Sequence, residues 1–205
     1  MRGTLIAIEG VDGAGKTTLA AALAERLRAR GRDVELLREP GGVAAAERIR
    51  GLVADPALPV GARAEALLFA AARAQLVEER LEPALAAGRW VLLDRFVDSS
   101  LAYQGGGRML GVPEIRAINE FATSGLWPDL TLLLTLAPET GAARRATRGT
   151  PPDRLEQAGE AFQASTAAAY RALVQAEPER FRVIDAGAPP DVVLDAALAA
   201  LEALG

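Results

Sequence analysis

The chain has 205 residues, 50% apolar and 24% charged, which suits one folded domain and excludes disorder along its whole length. Lys and Arg total 23 against 27 Asp and Glu, and a net charge of −4 speaks against a general nucleic-acid binder. Cysteine and histidine are both absent, so disulfides, thiolate nucleophiles, imidazole bases and Cys/His zinc sites are excluded; any metal must sit on oxygens, as magnesium does.

Residues 4–9 (TLIAIE) read as a buried strand closed by Gly10. Thr18 to Arg30 has helical spacing at Leu19, Leu23 and Leu27, and Gly31 ends it. Val34 to Leu37 is a second strand, broken by Pro40-Gly41-Gly42. Ala44 to Val53 reads as helix, Pro56 and Pro59 as loop, and Ala62 to Ala87 as a long helix bent or ended near Pro83. Trp90 to Leu93 is a strand, closed by Asp94-Arg95, and Val97 to Tyr103 a short helix. Gly105-Gly106-Gly107 reads as a loop, because glycine weakens helices and strands alike. Helices are expected at 113–123, 139–147, 155–176 and 192–204, and strands at 130–136 and 181–184. No apolar run reaches the roughly 18 residues of a membrane span, the first ten residues are too short a greasy run for a signal peptide, and a cytoplasmic location is expected.

Short apolar strands separated by helices predict an α/β fold with a five-stranded parallel sheet covered on both faces. Ligands of such sheets sit at the carboxyl ends of the strands. Gly10, Arg38, Asp94 and Asp185 all follow strands, so they are expected along one edge.

Gly10-Val11-Asp12-Gly13-Ala14-Gly15-Lys16-Thr17 matches GxxxxGK[ST] between a strand and the helix opened by Thr18. Its N–H groups curve around phosphate oxygens, with the positive end of the helix behind them. Lys16, the single lysine of the chain, is expected on the β and γ phosphates, and the Thr17 hydroxyl on Mg2+. The pattern predicts a P-loop NTPase fold binding ATP or GTP. No Asn/Thr-Lys-x-Asp guanine signature is possible without a second lysine, and no LSGGQ-like signature occurs. The small size favours a small-molecule kinase with a second pocket and a closing lid.

Asp94 is expected to orient magnesium water and Arg95 to grip a substrate phosphate, while Arg38-Glu39-Pro40-Gly41-Gly42, with Arg38 at the ligand edge, is expected to bind an acceptor phosphate or brace the pocket. Phe69 and Arg73 lie four apart on one helix face, a pairing that suits stacking on a nucleobase and bonding its edge. Arg144, Arg145, Arg148 and Arg154 flank a Gly149–Pro152 break that reads as a lid insertion at about 145–156 within a single domain over residues 1–205. A kinase of another deoxynucleotide or of a deoxynucleoside, and a non-catalytic nucleotide sensor, are the competing readings.

The stretches IEGVDGAGKTT, REPGG, LLFAAARAQLV, LLDRFVDSSLAYQGGGR and RRATRGTPPDRLE resemble the thymidylate kinase family over nearly the whole chain. The resemblance implies a nucleoside monophosphate kinase-like fold with a short lid, and phosphorylation of dTMP to dTDP by MgATP on a homodimer; with the charge balance and the lack of a membrane-length apolar run, neither nucleic acid nor membrane is expected as partner. It implies Asp12 near the acceptor sugar, Arg38 and Arg95 on the dTMP phosphate, Phe69 stacked on thymine and Arg73 on its edge. Tyr103 is expected to crowd the sugar against a ribose 2′-OH, Gln104 to lie near the base, and Ser99 and Ser100 to line the pocket. Arg144 is expected over the adenine, with Ala186 and Gly187 along its pocket. One subtype carries an arginine inside the phosphate loop. Here that place is Gly13, so the chain resembles the subtype whose catalytic arginine comes from the lid. Thr150-Pro151-Pro152 departs from the usual acidic lid wording, which leaves open whether Arg148 or Arg154 reaches the phosphates; Arg148 is favoured.

Overall fold

The computed structural model of the chain describes all residues except 1, 148, 150–152, 203 and 205. Its first strand, β1 (Leu5–Gly10), is buried at every position. Side chains alternate across a strand, and here both sets are apolar. Leu5 and Ala7 join one core with Val91, Leu93 and Leu133, whereas Ile6 and Ile8 join a second with Leu92, Leu132 and Leu134. The strand is thus sandwiched, which is why its sequence shows no polar alternation.

Among the described residues one sheet contains β1, β2 (Val34–Arg38), β3 (Trp90–Asp94), β4 (Leu130–Thr135) and β5 (Phe181–Asp185) in the order β2-β3-β1-β4-β5. Every pairing is parallel. α1 (Lys16–Ala29) and the last helix cover one face through Leu19, Leu23, Val193 and Ala197. The other face is covered by α3 (Ala62–Leu76), α6 (Val112–Thr123) and α8 (Glu160–Ala176), through residues such as Leu76, Ile115 and Leu173. Each fully buried Leu or Ile contributes about 1.5–3 kcal/mol relative to exposure, so both faces are needed to hold the sheet.

The register pairs Arg38 with Asp94, Asp94 with Ile8, Gly10 with Leu134, and Thr135 with Asp185. The expected carboxyl edge therefore forms. β2 lies to one side of β1 and β4 to the other, so the loop after β1 occupies the crevice where ligands of open α/β sheets bind.

Three helical regions depart from expectation. α3 passes through a π-helical turn at Val77–Leu81 into α4 (Glu82–Ala86), with Pro83 near the start of α4 rather than breaking it. The expected loop at Gly105–Gly107 is the end of a π-helix, Leu101–Gly107, that continues α5 (Val97–Ser100). Close packing explains its glycines. A Cβ at Gly106 would lie 2.4 Å from Ala169 Cβ, and one at Gly107 would lie 2.6 Å from Phe162 Cε2. Both neighbours belong to α8, so the glycines let this helix approach it. The expected helix at 155–176 is split: a turn of 3₁₀ helix at Glu156–Ala158 precedes α8.

Candidate active site

The phosphate loop runs from Gly10 to Thr17, and Gly15 precedes the first residue of α1 in a left-handed conformation, φ 90°. Gly13 also has positive φ, and a Cβ there would meet the Gly141 carbonyl oxygen at 2.7 Å. A side chain at that position would force the backbone at Gly141 to shift. Lys16 Nζ donates to the Val11 carbonyl at 2.9 Å and lies 3.9 Å from Asp12 Oδ1. Burial and the nearby Arg95 guanidinium lower the Lys16 ammonium to about 8. Asp12, Asp94 and Glu9 oppose that shift, and a bound phosphate would add further negative charge beside the ammonium.

Thr17 Oγ1 donates to Asp94 Oδ2 at 2.5 Å. These two hard oxygens sit beside the loop where a nucleotide's phosphates would supply further oxygens. They fit the donor set of Mg2+, which keeps several waters and needs only one or two carboxylates.

Arg95 follows Asp94 with φ 73°, a conformation that is costly for a non-glycine residue. Its N–H is held by the Ile8 carbonyl at 3.0 Å. Arg95 Nη2 is ion-paired with Asp12, and Nη1 donates to Gly10 O at 3.2 Å and Ser99 Oγ at 3.1 Å. Burial alone would raise the Asp12 carboxyl, but Arg95 and Lys16 outweigh it and hold Asp12 below the usual carboxylate range. Ser99 Oγ in turn donates to Glu9 Oε2 at 2.6 Å, which also accepts from Tyr170 at 2.7 Å. Burial, reinforced by Asp98, raises the Glu9 carboxyl. The arginine is thus presented by a buried acidic bracket. Tyr103 donates to Asp12 Oδ2 at 3.3 Å, and Arg95 lies 5.1 Å from its ring centroid.

The roles of the paired serines separate. Ser99 belongs to the Arg95 bracket, whereas Ser100 Oγ accepts from Arg73 Nη1 at 2.9 Å. Arg73 is 1% exposed and spends all five N–H groups inside the protein: two on Glu39 Oε2, and one each on Ser100, Asn119 and the Phe96 carbonyl. Glu39 is pushed up to about 7 by burial, with Arg73 opposing the shift. Its Oε1 is buried without a partner.

These groups surround a cavity of about 580 Å³. One end is formed by Asp12, Gly13, Gly15, Lys16, Thr17 and Thr18. Arg38, Phe69, Asp94, Arg95, Ser99, Ser100, Tyr103, Gln104 and Arg144 also line it. Gly10, Val11 and Ala14 lie behind this lining, as does Arg73. Arg38, exposed at the rim, is held by Glu47 at 2.9 Å and by the Pro40 carbonyl at 3.2 Å. Ala186 and Gly187 do not line the cavity. The Ala186 N–H bonds the Thr135 carbonyl, and the Gly187 N–H bonds Asp185.

Of the basic segment, Arg145 donates to the Asp12 carbonyl at 2.8 Å. Arg154 turns to the other end of the cavity and pairs with Glu65 at 2.7 Å. Arg148 lies outside the described residues. Sequence reasoning missed Glu9, Arg50 and Asp153, and named Glu39 only as part of the Arg38–Gly42 turn. A signal existed for the first: Glu9 is the one charged residue in an otherwise apolar strand, and buried charge demands partners. Arg50 and Asp153, which line the cavity, carried no local signal.

A phosphate loop at the switch point of a parallel sheet, joined by one cavity to an arginine-bearing second half, defines a P-loop phosphotransferase of the nucleotide-kinase class. A family model for thymidylate kinase matches residues 8–197. A thymidylate kinase of Deinococcus radiodurans is 50% identical over 190 residues, covering 93% of this chain and 92% of that protein. One from Thermomicrobium roseum is 50% identical over 192 residues, 93% and 90% of the two chains. Another, from Lactobacillus helveticus, is 46% identical over 205 residues, 98% and 97%. The chain belongs to the thymidylate kinase family, ATP:dTMP phosphotransferases that convert dTMP to dTDP.

Proposed function

We propose that this chain phosphorylates dTMP by direct in-line transfer, with ATP phosphates on the loop and dTMP against the Phe69–Gln104 wall. The continuity of the cavity carries this reading: groups suited to donor phosphates and groups suited to an acceptor nucleotide line one space. An oxygen of the dTMP phosphate attacks the γ phosphorus. The new P–O bond forms as the bridging bond to ADP breaks. The acceptor is already mostly dianionic near neutral pH, since the second pKa of a phosphate monoester is about 6. No histidine or covalent intermediate is required. The protein's work is alignment and charge neutralisation.

Lys16 and Arg95 hold equatorial oxygens in this reading. Arg38 and Arg95 clamp the acceptor phosphate, and Phe69 stacks on the base. Tyr103, fixed between Asp12 and Arg95, fills the space a ribose 2′-OH would need. Gln104 faces the base, and Arg144 covers the adenine. Thr17 and Asp94 would hold Mg2+, which would supply neutralisation of phosphate charge when bound. Arg73 acts as the rigid back of the base wall, because its N–H groups are already spent. We assign the lid role to Arg148, since Arg154 is engaged with Glu65.

A homodimer is part of this reading. Phe121 on α6 is 91% exposed and Leu67 on α3 is 57% exposed, on two helices packed against each other. A cytoplasmic location follows from ATP as donor. No helix of the described residues is long and apolar enough to cross a membrane.

The deciding experiment measures ADP formation from MgATP with dTMP, dUMP, the ribonucleotide TMP, dCMP, dGMP, thymidine or no acceptor. High turnover with dTMP and weaker turnover with dUMP is expected. The two acceptors differ by one methyl, worth about 1 kcal/mol. Tyr103→Phe keeps most activity, whereas Tyr103→Ala raises the TMP/dTMP rate ratio; an unchanged ratio removes the assignment to Tyr103. Turnover with thymidine equal to dTMP would overturn the phosphate clamp.

A further inference from the structure

Glu65 on α3 is ionisable yet has no exposed surface. Its Oε1 accepts from Gln104 Nε2 at 2.8 Å and from Arg108 Nε at 3.2 Å. Its Oε2 accepts from Arg108 Nη2 at 3.0 Å and pairs with Arg154 Nη1 at 2.7 Å. Three N–H donors and one further ion pair thereby occupy one carboxylate. A buried carboxylate is costly unless it is filled in this way, and two guanidinium partners offset its desolvation.

The partners come from separate parts of the site. Gln104 lies on the π-helical wall and lines the cavity. Arg108 follows that wall and stands 4.6 Å from the Phe162 ring centroid of α8. Arg154 lies within 153–156, where Asp153, Leu155 and Glu156 line the cavity. This segment is internally rigid. Asp153 Oδ1 accepts from the Leu155 and Glu156 N–H groups, both at 2.9 Å. Glu156 Oε2 accepts from the Asp153 N–H at 3.2 Å, completing a reciprocal cap. Arg154 Nε also donates to the Val53 carbonyl at 3.0 Å.

We propose that Glu65 is a positioning residue that joins the acceptor wall to the Asp153–Glu156 cover of the cavity. The placement of Gln104 and the docking of Arg154 rest on the two oxygens of one carboxylate, so holding the acceptor and holding the cover are coupled. The inference rests on the acceptor lying against Gln104.

The test is Glu65→Gln in the full chain, which keeps the shape but removes the charge and turns an amide against the donors. The KM for dTMP is expected to rise about tenfold while the KM for ATP stays within about twofold. Wild-type protein should show dTMP-dependent protection of the Arg154–Leu155 bond from trypsin, mapped by fragment mass, and Glu65→Gln should lose it. Arg154→Lys keeps a charge without the planar fork. It should shift the dTMP KM in the same direction, and the double variant should lose little more than either single one. An unchanged dTMP KM with protection retained in Glu65→Gln overturns the proposal, as do parallel rises in both KM values. If Glu65→Gln does not fold, normal dTMP KM and protection in Arg154→Lys overturn it instead. Wild-type protein without turnover on dTMP would refute the acceptor assignment itself.

Discussion

Thr17 Oγ1 lies 2.5 Å from Asp94 Oδ2, so the first turn of α1 meets the end of β3 across 77 positions of sequence. The parallel pairing of Ile8 with Asp94 creates this contact, because it carries the end of β3 alongside the loop that leaves β1.

Asp94→Asn keeps the side-chain shape and removes the charge next to the proposed Mg2+. Its kcat should fall roughly 10²–10³-fold, with more free Mg2+ needed for half-maximal rate. Chelation with EDTA should abolish wild-type turnover, and added Mg2+ should restore it. Rates titrated against free Mg2+ check both points; identical curves for variant and wild type would remove Asp94 from the metal assignment.

Lys16→Ala should fold and lose at least about 10²-fold in kcat. The pH dependence is more specific. The free-site ammonium stands at about 8, and a bound phosphate favours its charged form. Nucleotide affinity should therefore be greatest below pH 8 and weaken above it, by up to about tenfold per pH unit. Stability runs the other way. The unfolded ammonium, with its ordinary value of 10.5, binds more protons between pH 8 and 10.5, so the Lys16 contribution favours folding as pH rises through that window. Calorimetric titration of ADP at several pH values reads the first effect, and Lys16→Ala should flatten it.

The Arg73–Glu39 pair predicts an asymmetric response. Removing the guanidinium in Arg73→Ala leaves Glu39, Asn119 and Ser100 without their donor and should cost about 3–5 kcal/mol of stability. Glu39→Gln should cost less, because its amide oxygen still accepts. The Glu39 carboxyl is raised from 4.5 to about 7, so the folded state holds the extra proton and this contribution to stability is lost as pH rises from 4.5 through 7. Urea unfolding at pH 5 and pH 8 compares the two. Arg73→Ala as stable as wild type would contradict the five bonds assigned to it.

Phe121→Asp should convert the proposed dimer to monomer without unfolding it, because the side chain is 91% exposed. Sedimentation velocity at several concentrations distinguishes the states. A wild-type monomer at high protein concentration would end the dimer assignment.

Much of the site could be read locally. The phosphate loop, Asp94-Arg95 and the strand ends announced themselves because each is a short run whose chemistry depends on adjacent residues. Of the Phe69–Arg73 pairing, Phe69 lines the cavity, whereas Arg73 is not in the lining and bonds Glu39 and Asn119, residues 34 and 46 positions away. Gly105–Gly107 looked like a loop because local conformational cost was the only visible criterion. Gly106 and Gly107 are glycine because of Ala169 and Phe162 on α8, which a local reading does not reach.

Apolar spacing, glycine placement and the single lysine were enough to specify a parallel α/β sheet and a phosphate-binding loop, because periodicity and turn chemistry act over a few residues. Which carboxylate meets which arginine was settled by packing. Glu9, Glu39 and Glu65 read alike as acidic residues. Burial obliged each to find donors, and the donors were those that the crossing of β1, α3 and the 101–107 helix brought within reach.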